Sequence, residues 1–326
     1  MQGLKNLGST CAINSLIQII CRNKFLRESI LNEDIPEKTL TIELKEILKI
    51  LYIDKNSLSP NKFINALYNF LNNFKYGEQI DITELWFILH DKIATEIFKS
   101  VTKLPYLKEY DDMTLNNPRI NNKADYIIST INDNKTSNWL TNTQGVILNT
   151  IQCNNCNNIS YNFEPFNAIQ LDLPDNNNDT ITLTTLLRNY LKSSVNKDEW
   201  KCEKCNKCCF YTKSHKLWKL PNVLIFLIKR YVNMNKKNVK PIDINNKINI
   251  KKGCILSDNN LEVSYNFSSI GMHIGNLDGG HYYAICKDES NNKYVLYDDL
   301  NIRIYNEDNT NFFKKNTDAY MVLYSI

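Results

Sequence analysis

Cys11, in the stretch NLGSTCAINS at residues 6–15, is placed where a thiol can do chemistry. Ser9 and Thr10 before it are good helix N-caps, and Ile13, Leu16, Ile17 and Ile20 after it keep the i, i+3, i+4, i+7 spacing of an amphipathic helix. A cysteine in the first turn of that helix faces backbone N–H groups and the positive end of the helix dipole. Both favour the thiolate, the nucleophilic form. Read alone, the stretch fits equally well a buried cysteine acting as a small apolar residue.

A thiolate nucleophile needs a base, and the chain has four histidines. His90 falls off the apolar stripe Leu85, Ile88, Leu89 of its helix, and His215 lies in a polar–apolar alternation before LWKLP. Both read as solvent-facing structural residues. His273 sits in a strand leading into a glycine-rich turn and fits either packing or function. His281 follows Gly279 and Gly280 and opens the strand HYYAIC, where a base held on a rigid element at a cleft rim is expected. The next strand, KYVLYDDL, ends in Asp298 and Asp299. An antiparallel hairpin brings this pair near His281, where a carboxylate can orient the imidazole; taken alone, two acidic residues at a strand end are a turn signal.

The ten cysteines contain two close pairs, CNNC at Cys153 and Cys156 and CEKC at Cys202 and Cys205. In a reducing compartment such pairs mean metal or catalysis rather than disulfides. Two CxxC turns can complete a tetrahedral Cys₄ zinc site, with redox-active or unliganded thiols as the other reading. From Cys156 to Cys202 is 202 − 156 = 46 positions, so something is inserted within the ribbon. The run CEKCNKCC also offers Cys208 and Cys209 in a shifted register.

The elements that must position these groups leave their own traces. Nine glycines in 326 residues is roughly 3%, against a usual share of about 7%. Gly3 and Gly8 flank the first motif and Gly271, Gly275, Gly279 and Gly280 the histidine, so both places demand unusual backbone angles or close backbone approach. A hydrophobic content of 43% supports a sizeable core, in one large domain with subdomains or in two. The net charge of +4 is mild, and NMNKKNVKP reads as a solvated loop rather than a nucleic-acid stripe. No run of 18 or more apolar residues and no charged-then-apolar leader is present, so the chain is expected to be soluble and not exported by a signal peptide.

Together the motifs carry a resemblance. GLKNLGSTCAINSLIQ resembles the cysteine box of the ubiquitin-specific proteases, and GNLDGGHYYAIC followed by YVLYDDL resembles their histidine box. EQIDITELWFIL is similar to the family's acidic helix-start motif. TQGVILNTIQCNNCNNISYNFEPFNAIQLDL and WKCEKCNKCCFYTKSHKLWKLPNVLIFLIKRY resemble its two finger segments, and AYMVLYSI its last palm strand.

The resemblance implies an α+β, papain-like hand: a helical thumb over 1–140, zinc-tied β fingers over 141–215 and an antiparallel β palm over 216–326. It implies a thiol protease that hydrolyses the bond after the C-terminal glycine of ubiquitin, with Cys11 as nucleophile, His281 as base and Asp298 as its orienting partner. Asn6 becomes the oxyanion donor and Asp299 an auxiliary group. Cys153, Cys156, Cys202 and Cys205 become ligands of a structural Zn²⁺. Asp81 and Glu84, a D-x-x-E capping box by pattern, become contacts for the ubiquitin tail, with Tyr282. The turn from Gly275 to Gly280 becomes a mobile blocking loop over a cleft narrow enough to suit a Gly-Gly tail. Ala12, Ile80 and Tyr294 depart from the pattern, standing where an aromatic residue, a glutamine and a tryptophan are usual. The expected partners are ubiquitin or ubiquitinated proteins, with no nucleic acid and no membrane, for a monomer of the cytoplasm or nucleus (host cytoplasm, for a viral source). A protease for a ubiquitin-like modifier and a ubiquitin-binding protein with a degraded site are the alternatives.

Overall fold

The structure, a computed structural model, describes residues 2–37, 39–71, 74–174, 179–233, 236–250, 262–276, 279–305 and 311–326. Residues 175–178 of DNNNDT, 234–235 of NMNKKNVKP and 277–278 of the glycine-rich turn lie outside these, so the reading of that turn as a blocking loop falls partly there. Among the described residues no helix is long and apolar enough to cross a membrane.

The first half is helical: α1 (Cys11–Arg22), α2 (Lys24–Leu31), α3 (Leu40–Tyr52), α4 (Asn61–Phe70), α5 (Ile82–Glu96), α6 (Ile120–Ile131) and α7 (Asn138–Thr143). The periodicity of α1 predicts one apolar face, yet every residue from Cys11 to Cys21 is buried. The helix is enclosed by α2, α3 and α5 on one side and by strands on the other. A helix enclosed all round must satisfy its polar side chains internally. Gln18 accordingly donates to the carbonyl of Gln2 at 2.9 Å, and Asn14 to Asp299 at 2.7 Å.

The strands form two main sheets. In the smaller one, β1 (Gly145–Cys153) pairs with β2 (Ile159–Phe166); β4 (Ser194–Lys201) and β5 (Cys208–Lys219) complete the antiparallel order β2-β1-β5-β4. Between β2 and β4, the 46-position gap between the CxxC turns holds β3 (Ile169–Asp172), which joins the large sheet, and α8 (Leu183–Leu191), which packs against both β3 and β5.

The large sheet adds β6 (Val223–Lys229), β7 (Lys247–Ile250), β8 (Val263–Gly275), β9 (Gly280–Lys287), β10 (Tyr294–Asp298), β11 (Asn301–Tyr305) and β12 (Ala319–Ser325). Its order is β11-β10-β9-β8-β12-β6-β3, with β7 also on β8. The expectation of an antiparallel sheet holds except at one edge, where β3 runs parallel to β6. That parallel pairing is possible because α8, β4 and β5 lie between β3 and β6 in the chain and give the long crossover that it needs.

Both faces of the central strands are covered. Along β6, Val223, Ile225 and Leu227 join the helical core, while Leu224, Phe226 and Ile228 join a second core with Leu183, Leu186 and Leu187 of α8. Alternate side chains of a strand point to opposite faces, so a run as apolar as VLIFLI needs two partners. The result is a layered α+β fold in which α1 lies directly against β9 and β10.

Candidate active site and metal centre

The N-terminal segment delivers Cys11 to the sheet. Leu4 N–H donates to the carbonyl of Asp299 at 3.0 Å, and a Cβ on Gly3 would stand 2.5 Å from that same oxygen, so only glycine lets the two backbones approach. Thr10 occupies the N-cap position of α1 but makes no capping bond. Its hydroxyl instead donates to Asn6 Oδ1 (3.2 Å) and accepts from Leu7 N–H (3.0 Å), while Ser9 takes a left-handed φ of 54°. The expected Ser/Thr cap is therefore spent on folding the preceding loop. The first-turn N–H groups of α1 are left without a side-chain cap, beside the Cys11 thiol.

Asn6 is the centre of that loop. Its Oδ1 accepts from the N–H groups of Gly8 (3.0 Å) and Thr10 (3.3 Å), and its Nδ2 donates to Asp299 Oδ2 at 2.9 Å. The other Asp299 oxygen is taken by Asn14 Nδ2 at 2.7 Å. Asp299 is thus a clamp between two amides, one from the loop and one from α1.

His281 opens β9 opposite Ile274 of β8, and Ala284 pairs with Tyr297 of β10. This hairpin sets His281 Nε2 2.6 Å from Asp298 Oδ1. Asp298 and Asp299 both reach the His281 side: one carboxylate oxygen of each and an imidazole nitrogen all lie within 4.8 Å of one another, so strand alternation does not separate them. Asp299 lies beyond β10, in the two-residue turn to β11, with φ 53°, a conformation Asp tolerates.

Cys11 is 2% exposed. Gln79 Nε2 lies 3.8 Å from its Sγ and donates to the Gly280 carbonyl at 2.7 Å, so one amide bridges the helix and the histidine strand. Next to it Ile80, where the resembling family has a glutamine, is buried. Asp81 caps α5 by accepting from the N–H groups of Thr83 and Glu84, at 2.8 and 3.4 Å, and its second oxygen accepts from Tyr282 OH at 2.8 Å. Asp81, Tyr282, Gln79 and His273 line a recess of about 140 Å³. Glu84 does not join them; it is exposed and faces a separate groove with Phe70, Phe74 and Ile88.

The remaining histidines correct the reading of them as solvent-facing. His90 is buried, its Nε2 2.9 Å from Thr143 Oγ1, and burial lowers its pKa. His215 is half-buried, stacked on Tyr190 and bonded to Asn149. Neighbouring elements fill the faces that helical and strand periodicity assign to water. His273 is buried against Tyr282 and Tyr320, and burial, with Lys237 beside it, pushes it down to about 4.

At the far end of the small sheet Cys153, Cys156, Cys202 and Cys205 present four sulfurs that all lie within 4.8 Å of one another. The two turns are built alike: Asn157 N–H donates to the Cys153 carbonyl and Asn206 N–H to that of Cys202, with Asn157 and Asn206 at φ 58° and 55°. Sulfurs around a tetrahedral Zn²⁺ with 2.3 Å bonds stand about 3.8 Å apart. The separations here, 4.0 Å for Cys153–Cys205 and 3.7 Å for Cys156–Cys202, fit such an ion. The Cys156 N–H is the largest influence on Cys153, whose thiol is drawn down to about 6, whereas Cys156, crowded by the other thiols, is pushed up to about 12. Cys208, the alternative in the shifted register, is exposed and outside the group, whereas Cys209 Sγ lies 3.3 Å from Cys153 Sγ.

Sequence reasoning missed Gln79 and Asn14. The one signal for Asn14 was a polar side chain one turn after Cys11 in a helix otherwise rich in Ile and Leu. For Gln79 there was only its place two residues before an Asp N-cap.

A family model described as ubiquitin carboxyl-terminal hydrolase matches residues 2–324. The chain is 25% identical to ubiquitin carboxyl-terminal hydrolase 8 of Saccharomyces cerevisiae, over 100% of this chain and 70% of that protein. It is 25% identical to ubiquitin carboxyl-terminal hydrolase Usp2 of Drosophila melanogaster, over 91% of this chain and 32% of that one. Against ubiquitin carboxyl-terminal hydrolase 2 of Gallus gallus the identity is 23%, over 100% and 93%. Among solved structures, the fold is similar to a chain of a SAGA DUB module (Ubp8, Sgf11, Sus1 and Sgf73) bound to monoubiquitin. That match has a TM-score of 0.75 at 22% identity, covering 100% of this chain and 69% of that one.

Proposed function

The chain belongs to the ubiquitin carboxyl-terminal hydrolase family and is a cysteine-type deubiquitinase, and we propose that Cys11 is its nucleophile, His281 its base and Asp298 the group that orients the base. The observation that carries this assignment is the 2.6 Å His281–Asp298 pair on the strand packed against the helix that Cys11 begins.

With Nε2 committed to Asp298, Nδ1 is the ring nitrogen that takes the thiol proton. The thiolate attacks the carbonyl carbon of the terminal glycine, and the negative charge moves to the carbonyl oxygen. The uncapped N–H groups at the start of α1 and the second N–H of Asn6 Nδ2, whose first is held by Asp299, are the donors for that oxyanion. His281 then protonates the departing amine, the C–N bond breaks and a thioester remains. Water, deprotonated by His281, cleaves the thioester and regenerates the thiol. Asp81 and Tyr282 hold the substrate tail in the recess beside Gln79; Glu84, on another groove, leaves the list of tail contacts.

Ubiquitin is the proposed substrate, a reading supported by the relatives' names and by the monoubiquitin in the similar structure. Zinc is the proposed occupant of the four-cysteine centre. It would be held by Cys153, Cys156, Cys202 and Cys205 and would supply folding energy rather than chemistry. The same reading has a monomer of the cytoplasm or nucleus, its charge of +4 too small to favour nucleic acid.

The test is covalent capture by ubiquitin bearing a C-terminal electrophile, in parallel with ubiquitin-like modifiers carrying the same group. The wild-type chain should be captured by ubiquitin and the Cys11→Ala variant should not, while still binding ubiquitin noncovalently. Capture that persists in Cys11→Ala would move the nucleophile to another cysteine, and preferential capture by another modifier would change the substrate.

A further inference from the structure

We propose that Cys209 is a reserve metal ligand, positioned to take the place of Cys156 and keep a four-thiolate site when that exposed cysteine is lost. The inference rests on the zinc reading above and adds to it a fifth donor.

The geometry comes first. Cys209 Sγ lies 3.3 Å from Cys153 Sγ, closer than the 4.0 Å that separates Cys153 from Cys205 within the four-cysteine group. The position is set by the sheet: Cys209 pairs with Trp200 of β4, and Cys153 pairs with Tyr211, two residues along β5. The backbone bond from Asn154 N–H to the Phe210 carbonyl, 3.2 Å, ties the two strands between these sulfurs. Along β5 successive side chains alternate, so the Cys208-Cys209 pair sends one thiol out and one in. Cys208 is exposed, whereas Cys209 is half-buried with its sulfur against that of Cys153. Beyond Cys153, the contact its sulfur makes among the described residues is a long one, 3.8 Å to the Trp200 carbonyl, which holds it only weakly.

Exposure decides which ligand it replaces. Cys153 and Cys202 are 0% exposed and Cys205 is intermediate, whereas Cys156 is exposed. An exposed cysteine is the member that alkylating or oxidising reagents reach first. Three ligands would then remain, and a structural zinc site takes four. Cys209 restores the number by turning from its place against Cys153, outside the group of four, toward the position that Cys156 leaves. The consequence is a β end that keeps its metal, and so its fold, after damage to its most accessible ligand.

The experiment uses the full chain as wild type, Cys156→Ser, Cys209→Ser and Cys156→Ser/Cys209→Ser. Zinc per chain is measured after dialysis against a mild chelator, and each protein is also loaded with Co²⁺, whose thiolate charge-transfer intensity counts the sulfurs bound. The expected result is one metal with four thiolates in the wild type and both single variants, and loss of zinc, with a weaker cobalt signal, in the double variant. If Cys156→Ser behaves like the double variant, Cys209 is not a reserve ligand. If the double variant still shows four thiolates, the spare donor is another residue, such as Cys208, and the proposal is again overturned. A wild-type chain that holds neither zinc nor cobalt overturns the zinc reading itself and the proposal with it.

Discussion

At the scale of residues, two adjacent aspartates have been given different work. Asp298 faces the imidazole at 2.6 Å, and Asp299 is held by Asn6 and Asn14 at 2.9 and 2.7 Å. Removing Asp298 should leave His281 without its orienting acceptor, lowering kcat on the order of 10³-fold with little change in ubiquitin affinity. Asp299→Ala should act by another route. With both amides released, Asn6 and the loop before Cys11 lose their anchor, so stability as well as kcat should drop; Asn14 keeps only long contacts of 3.5 and 3.4 Å to the Leu4 and Lys5 carbonyls, and a lost bond of this kind costs on the order of 1 kcal/mol. Comparing kcat, unfolding midpoint and the pH dependence of Cys11 alkylation separates the two. An Asp298→Ala variant with normal alkylation and turnover, beside an Asp299→Ala variant that has lost both, would exchange the assignments.

Among elements, the β8–β9 hairpin carries the proposed base, and its tightest point is Gly280. A Cβ there would stand 2.0 Å from His273 Nε2 and 2.9 Å from the Ile274 carbonyl, so Gly280→Ala must push apart the strands that place His281. A displacement of that kind at a catalytic group costs on the order of 10²-fold in kcat. Steady-state kinetics together with thermal unfolding check this; unchanged kcat would mean that the hairpin accommodates the methyl elsewhere. The same hairpin makes the fold acid-sensitive. Burial, with Lys237 alongside, holds His273 at about 4, whereas an unfolded histidine titrates near 6.5. The unfolded chain binds the extra proton between these values, so the neutral histidine's contribution is complete above about pH 6.5 and is lost as pH falls towards 4. That loss amounts to about 3 kcal/mol. Urea midpoints at pH 7 and pH 4.5 should fall further in the wild type than in His273→Gln, and equal slopes would remove His273 as the cause.

Across the whole molecule, one core joins the helices to the inner face of the large sheet, from Leu16 and Leu44 to Leu227 and Leu323. A separate cluster of Tyr110, Ile120, Leu148, Phe163 and Trp218 supports the small sheet. The four-cysteine centre lies beyond that cluster, at the ends of β1 and β5, so the energy of the zinc proposed there is local. Stripping the metal, or making Cys153→Ser, should raise amide exchange over residues 153–158 and 202–209 while α1 stays protected. Exchange that rises equally in α1 would mean that the metal centre and the active site unfold as one unit.

Much of this protein was legible in its amino-acid order because local chemistry wrote it there. A cysteine at a helix start, a histidine behind a glycine pair, an acidic strand end and two CxxC turns are short-range patterns, each with a physical reason independent of the rest of the chain. What those patterns left open was which partner each group meets. Asp298 and Asp299 are adjacent in sequence and close in space, yet take different partners, because a turn puts Asp299 at φ 53° and two amides from distant residues hold it there. Thr10 looks like a cap and spends its hydroxyl on Asn6; α1 looks one-sided and is enclosed. His90 looks exposed and is buried, and Gln79 has no motif of its own yet spans the cleft from Cys11 to Gly280. Each of these outcomes depends on elements separated by scores of residues that packing brings together, and side-chain periodicity within one element carries no record of what will cover its other face.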